Sequence, residues 1–367
     1  MKKIDVVLNT EWNNENGGAE FVNSTIKSIF SEEVFVRSIW SDYPNLGTVH
    51  ESWLKFLRFL PKSLLGILTL PEQLVRKSHK ADILINSSFI FAHLFKSKKK
   101  NYLQINYVHT PLRYVWNSEI DSRILNFGVF SKIIIAFLKY VDCRFLNRDA
   151  LYIANSKEVQ SRIMKFWGVN SIVVYPPVDI DFFGSFFRES APGQPTLISA
   201  GRLVEYKNHI MAIEISKAAN IPLVIAGYGE QERELREFAN RIHADVTFVI
   251  SPSRSKLAEL ISNSSIFLHL AHEDFGILPV EAMATGTPVL GINRGGLLET
   301  VSDKSGFLTD NFDSLISAIP FCLSLNRKQV AETVMDFSVL NFQKKLAKLI
   351  LDHRPDAIGT ISRAYLP

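Results

Sequence analysis

Apolar residues occur along this chain in short runs separated by longer amphipathic stretches. "KIDVVLN" reads as a buried first strand, and "GGAEFVNSTIKSIF" as the loop and helix that follow it. The runs "ADILINSS", "NYLQINYVH" and "ALYIANS" predict further strands, each ending in small or polar residues. "SKIIIAFLKYVDCRFLNRDA" predicts a helix between the last two. The paired prolines of "SIVVYPPVDIDFFG" then halt regular structure and mark an interdomain linker. Beyond them the pattern restarts: "PTLISAGR", "IPLVIAGYG", "DVTFVI", "SIFLHLAH" and "TPVLGIN" predict strands, with helical segments between most of them. There is no internal repeat and no low-complexity tract.

Strand–helix alternation in two blocks predicts an α/β protein with two Rossmann-like, doubly wound parallel sheets facing across a cleft. The expected division is 1–175, 176–345 and a tail, 346–367, packing back on the first domain. A length of 367 residues suits two domains of ordinary size. With 47% hydrophobic and 21% charged residues the chain is globular, not disordered. A net charge of +4 permits anionic substrates or a membrane surface without requiring nucleic acid. Cys143 and Cys322 lie far apart and form no metal-ligand pattern, which fits a reducing cytoplasm. "MKKIDVVLNT" does not read as a signal peptide, and the longest wholly apolar run, "IIIAFL", cannot span a bilayer. The expectation is a cytoplasmic protein, at most peripheral on the inner face of the cytoplasmic membrane.

In open α/β sheets ligands gather beyond the carboxyl ends of the strands. The notable residues follow strands: "NGGAE" after the first, "HTP" after "NYLQINYV", "GR" after "PTLISA" and "HED" after "SIFLHLA". Neither block carries G-x-G-x-x-G after its first strand, which argues against a nicotinamide enzyme, and "GYGE" is explained equally well as a turn. In "HEDFGILPVEAMATG", Glu273 and Glu281 bracket a glycine turn that opens a helix, with Pro279 in its first turn. The backbone N–H groups of Phe275, Gly276 and Ile277 would suit a diphosphate. Arg202 and Lys207, in "SAGRLVEYKN", offer the balancing charge without a metal. The carboxylates should then face ribose and hexose hydroxyls. An anion site flanked by polyol acceptors describes a nucleotide diphosphate sugar.

With these motifs the sequence resembles the retaining glycosyltransferases of family 4, which have the two-Rossmann GT-B fold. The likeness rests on the E-x7-E pattern of Glu273 and Glu281, "GGAE", "ANSKEVQSRIMKFWG", "YPPVDIDFF", "GRLVEYKN" and "RGGLLETV", in the family's order. "NYVHTPLRYVWN" is similar to a segment of bacterial mannosyltransferases that build O-antigen or capsule. The resemblance implies metal-independent hexose transfer to a glycan or lipid-linked glycan acceptor, with GDP-mannose as donor. It implies that Arg202 and Lys207 bind the diphosphate, that Glu281 holds the ribose, and that Glu273 with the 275–277 backbone holds the sugar and distal phosphate. His109 would contact the transferring sugar, and Gly17 and Gly18 would let the first loop approach the phosphates. A UDP-sugar transferase and a non-catalytic scaffold of the same fold remain as alternatives.

Some features depart from the family or allow a plainer reading. Glu205 stands where relatives often carry proline, and either adds charge near the phosphate site or faces solvent. "FVISPSRSKL" replaces a common turn near the nucleobase, leaving the base open. His272 is expected at the surface. For His109 the alternative is a buried, hydrogen-bonded imidazole. "DID" at 179–181 mimics a metal-binding motif but reads as a turn and helix cap. "SWLKFLRFL" and the basic run "KSKKKN" read singly as a packed helix and a solvated loop, and together as a surface lying against anionic lipid.

Overall fold

The computed structural model describes residues 4–12, 17–39, 49–57, 59–60, 62–75, 80–116, 129–190 and 193–366. The chain divides into two compact units, Met1–Pro177 with Leu340–Pro367, and Val178–Val339. The first holds seven strands: β1 (Val6–Thr10), β2 (Phe35–Ser38), β3 (Val49–Glu51), β4 (Ile83–Ser88), β5 (Leu103–Val108), β6 (Leu151–Ala154) and β7 (Ile172–Val173). They lie in the order 3-2-1-4-5-6-7, with every pairing parallel. The second holds β8 (Leu197–Arg202), β9 (Leu223–Tyr228), β10 (Val246–Ile250), β11 (Ile266–His269), β12 (Val289–Gly291) and β13 (Gly306–Leu308). Their order, 10-9-8-11-12-13, repeats the same winding, again wholly parallel. Each sheet therefore reverses its strand order once, between β1 and β4 and between β8 and β11.

Four strands, β2, β3, β7 and β13, have no counterpart in the hydrophobic pattern. They are four, three, two and three residues long, and none lies in an apolar run bounded by turn residues as the predicted strands do. β7 falls inside the segment read as linker, where the Val174 amide still pairs with the Ala154 carbonyl. The chain crosses between units after Pro177 and again after Val339, against positions 175 and 345 in the sequence reading. The return crossing comes earlier because the helix Val339–His353 is continuous and buries Phe342, Leu346 and Ile350 along one stripe. That stripe joins Ile26, Ile29 and Tyr107 in one core of the first unit.

Parallel strands register identical positions side by side, and the first sheet uses this to build a polar layer. Asn9, Asn86 and Asn106 are neighbours on β1, β4 and β5. Asn9 Nδ2 donates to Asn86 Oδ1 (3.1 Å), and Asn86 Nδ2 to Asn106 Oδ1 (2.8 Å). Arg37, itself buried, donates to Asn9 Oδ1 at 2.6 Å, lies 3.4 Å from Glu72 Oε2, and sits over the Phe95 ring. Glu72 also accepts from Ser52 Oγ, so its charge is fully engaged.

Of the two features bearing on location, the first differs from its sequence reading. Residues Trp53–Leu57 form a 3-10 turn, not an α-helix. With three residues per turn, Trp53 and Phe56 share the outer face while Leu54 is buried and Leu57 half-buried beneath them. Arg58 lies outside the described residues. In "KSKKKN", Lys99 is bound to Asp5 (3.0 Å) and Asp82 (2.6 Å), while Lys98 and Lys100 are exposed. Among the described residues no helix is long and apolar enough to cross a membrane.

Removing one partner of a buried ion pair strands the other. Arg37→Met should therefore cost about 3 kcal/mol of unfolding free energy in urea titration, and Arg37→Met/Glu72→Gln should recover part of it. Equal losses in the single and double variants would show that the pair does not carry the cost.

Candidate functional site

In the second unit the carboxyl ends of β8 and β11 place most of the expected residues. Arg202 is the last residue of β8, and Lys207 closes the 3-10 turn Glu205–Lys207 just beyond it. His269 ends β11, and Glu273 follows in the loop to the helix Ile277–Ala284. Lys207 Nζ donates to Glu273 Oε1 at 2.6 Å, and His269 Nε2 lies 3.2 Å from Oε2. Burial opposes ionisation of Glu273, but His269 and Lys207 outweigh it and hold this carboxyl well below the usual carboxylate range. Glu273 is thus an acceptor-only group, with its charge matched by a cation and its side chain still 21% exposed.

Arg202 is exposed; its Nη2 donates to the Tyr206 hydroxyl at 2.7 Å. The Tyr206 ring lies 5.7 Å from both the Arg202 guanidinium and Lys207 Nζ. Beneath them His209 is buried, its Nε2 donating to the Arg202 carbonyl (3.1 Å) and its Nδ1 accepting from Ser199 Oγ (2.9 Å). Burial pushes its pKa down to about 4, so it is a neutral prop that fixes the end of β8. Glu205 is exposed to solvent.

The turn before the helix depends on glycine. Gly276 has φ 84°, in the left-handed region, and no side chain caps the helix there. Among the described residues the amides of Gly276 and Ile277 donate no backbone hydrogen bond. Pro279 sits in the first turn, buried. The loop rests on Gly295 and Gly296: a Cβ on Gly296 would fall 2.2 Å from the Phe275 carbonyl, and its amide donates to the Glu273 carbonyl at 2.9 Å. Phe275 is buried against Phe337. His272, expected at the surface, is half-buried, with its ring against Gly295.

Glu281 lies on the same helix and makes no hydrogen bond or ion pair among the described residues. Burial pushes its carboxyl up to about 7, with Arg254 working against the shift and Asp179 adding to it. Asp179 caps the helix Ile180–Gly184, accepting from the Phe182 amide, and pairs with Arg254 at 2.8 Å. The "DID" motif is a turn and cap. Arg254, absent from the sequence reading, stacks 4.2 Å over Phe182.

His109, Gly17 and Gly18 belong to the first unit. His109 follows β5; its amide donates to the Ser88 carbonyl (2.8 Å) and its Nε2 lies 2.9 Å from Ser87 Oγ. It is half-buried and hydrogen-bonded, with its ring edge-on to those of Tyr107 and Phe89. Gly17 precedes the helix Gly18–Ser28, where a Cβ would collide with the Glu20 carboxylate 1.8 Å away. Sequence reasoning missed Glu11, fully buried after β1. Its carboxylate accepts from the amides of Phe89 (3.3 Å), Ile90 (2.9 Å) and Ala92 (2.7 Å), tying the end of β1 to the loop after β4. Ser88, His93 and Asp142 form a hydrogen-bonded series of 2.9 and 2.8 Å, but all three are sealed from solvent, which makes them structural. Among the described residues no three His, Cys, Asp or Glu side chains are grouped to hold a metal ion.

Comparison with known proteins defines the class. Residues 184–332 match the family model "Glycosyl transferases group 1". The Anabaena HepE structure in complex with UDP superposes with TM-score 0.68 at 18% identity, covering 95% of this chain and 100% of that one. The chain therefore has the GT-B fold, and residues 184–332 of its second unit are similar to the group 1 glycosyl transferases. Among curated proteins it is 27% identical over 201 residues to the Xenopus laevis GDP-Man:Man(3)GlcNAc(2)-PP-Dol alpha-1,2-mannosyltransferase, covering 48% of this chain and 41% of the relative. It is 31% identical over 128 residues to a Mycobacterium tuberculosis GDP-mannose-dependent alpha-(1-6)-phosphatidylinositol dimannoside mannosyltransferase, covering 33% of each. The chain thus spans less than half the length of these relatives.

Glu281 gives a pH test. The folded state keeps its proton up to about pH 7, whereas an ordinary glutamate releases it near 4.5, so native binding of this proton makes stability fall as pH rises between those values. Glu281→Gln should melt higher than the natural protein at pH 8 and equal to it at pH 5. A constant difference at both pH values would remove the assignment.

Proposed function

We propose that this protein is a retaining, metal-independent hexosyltransferase that moves mannose from GDP-mannose to a lipid-linked glycan. The product would serve surface polysaccharide assembly of the O-antigen or capsule kind, at the inner face of the cytoplasmic membrane. The observation that carries this reading is the Lys207–Glu273–His269 cluster beside Arg202 and the uncapped turn at Gly276. Arg202, Lys207 and the Gly276 and Ile277 amides would hold the diphosphate, while the charge-matched Glu273 accepts hydroxyls of the sugar. Glu281, carrying no partner of its own, has both oxygens available to a ribose diol. The GDP-mannose dependence named for the mycobacterial relative, and the GDP-Man named for the Xenopus one, support the donor.

Transfer would break the bond from the anomeric carbon to the distal phosphate oxygen and form one to the acceptor oxygen. The acceptor proton would pass to the departing phosphate. Negative charge grows on that phosphate in the transition state, and Arg202 and Lys207 would meet it. His109 would contact the sugar, and Gly17 and Gly18 would allow close approach of the first loop.

A thermal-shift series tests the donor: GDP and GDP-mannose should raise the melting temperature, and UDP and UDP-glucose should leave it unchanged. The reverse order would transfer the reading to a UDP-sugar. Lys207→Ala should lower kcat about 100-fold with a small change in nucleotide affinity, and Glu281→Ala should weaken GDP binding about tenfold. Unchanged kinetics in both would undo the site.

A further inference from the structure

Beside Glu281 the second unit assembles a charged group from two segments distant in sequence. Arg254 opens the helix Arg254–Ser262, and Asp179 caps the helix Ile180–Gly184. Arg254 Nη2 donates to Asp179 Oδ2 at 2.8 Å, and the guanidinium lies 4.2 Å from the centre of the Phe182 ring and 5.4 Å from that of Phe183. The other Asp179 oxygen accepts from the Phe182 amide, so the carboxylate cannot swing away without uncapping its helix. Asp179 and Phe182 thus hold the guanidinium by one corner and one face. The arginine side chain is nonetheless 50% exposed, and an ion pair this open adds little to stability.

What the pairing leaves free is specific. Asp179 takes one of the two Nη2 hydrogens, and among the described residues the guanidinium makes no other hydrogen bond. Whichever hydrogen is taken, one edge of the planar fork keeps two parallel donors, Nη1 with Nη2 or Nε with Nη2. The charges of Arg254 and Asp179 both act on the Glu281 carboxyl, so this edge lies beside it. Glu281 in turn stands one helical turn, roughly 6 Å, beyond the Ile277 amide. With a diphosphate on that amide and a ribose on Glu281, the next group along a nucleotide is its base.

Two parallel donors call for two adjacent acceptors. Guanine presents them at N7 and O6, whereas adenine pairs its N7 with an amino donor. In uracil an N–H donor separates the two carbonyl oxygens. Cytosine has adjacent acceptors, but on a single ring with less surface to pack. We propose that Arg254 selects the base of the donor by donating to N7 and O6 of guanine, with Asp179 as the positioning residue that keeps its two-donor edge open. The proposal rests on the donor reading above and deepens it by naming which edge of the base is read. The 2-amino group of guanine plays no part in this contact.

Calorimetric titration of the full chain with base-modified diphosphates tests it. IDP keeps N7 and O6 but lacks the 2-amino group, and should bind within about twofold of GDP. The 7-deaza analogue of GDP carries C–H in place of N7 and should bind about tenfold more weakly. Arg254→Met should weaken GDP by about tenfold or more and bind GDP and its 7-deaza analogue alike. Asp179→Asn keeps a capping side chain, so it should melt close to the natural protein while narrowing the difference between those two ligands. Equal binding of GDP and 7-deaza-GDP to the natural protein would overturn the proposal. So would a difference that survives Arg254→Met, as it would if the arginine met a phosphate, and either result leaves the guanine donor standing. UDP or CDP binding more tightly than GDP would remove the donor reading itself, and the proposal with it.

Discussion

Parallel pairing of strands imposes a direction on everything else in this molecule. When every strand in a sheet runs the same way, all the carboxyl ends lie at one edge and each connection must cross back over a face. The order 3-2-1-4-5-6, repeated in both units, reverses once and parts the loops on either side of that point. In the second unit the parting lies between β8 and β11, and Arg202, Lys207, His269 and Glu273 all issue from those two strands. In the first it lies between β1 and β4, where Glu11 ties the two strand ends together through three backbone amides.

A carboxylate beside an anion site looks self-defeating until its partners are known. Glu273 is charge-matched before any ligand arrives, because Lys207 and His269 each engage one of its oxygens. Its negative charge is therefore spent locally, while its remaining lone pairs can accept hydroxyls. Glu281 is the opposite case: half-buried, without a partner among the described residues and hard to ionise, it is stabilised by something that brings donors to it. Two glutamates eight residues apart thus occupy contrasting states, and the contrast arises from their neighbours: Lys207 and His269 beside one, burial without a partner at the other.

Glycines near the site act by what they do not occupy. Gly276 supplies a left-handed turn, and Gly296 makes room for the backbone of Phe275. Neither contributes a side-chain atom, yet a side chain at either would move the amides that open the helix Ile277–Ala284.

The amino-acid pattern alone determined the α/β class, the two blocks, nine of the strands, the helix opened at Gly276 and the role of Asp179 as a cap. These are local: they follow from periodicity, proline, glycine and short-range capping, which act over a few residues. β2, β3, β7 and β13 escaped it, since their stability comes from neighbours in the sheet and not from an apolar run of their own. Glu11 and Arg254 escaped it because each acts on a residue that only the fold brings near, and His272 was assigned to the surface for the same reason. The tertiary structure alone decided which cation meets Glu273, why Glu281 holds its proton, and which carboxylate holds Arg254. Burial and long-range pairing set those outcomes, and neither is a property of any short stretch of chain.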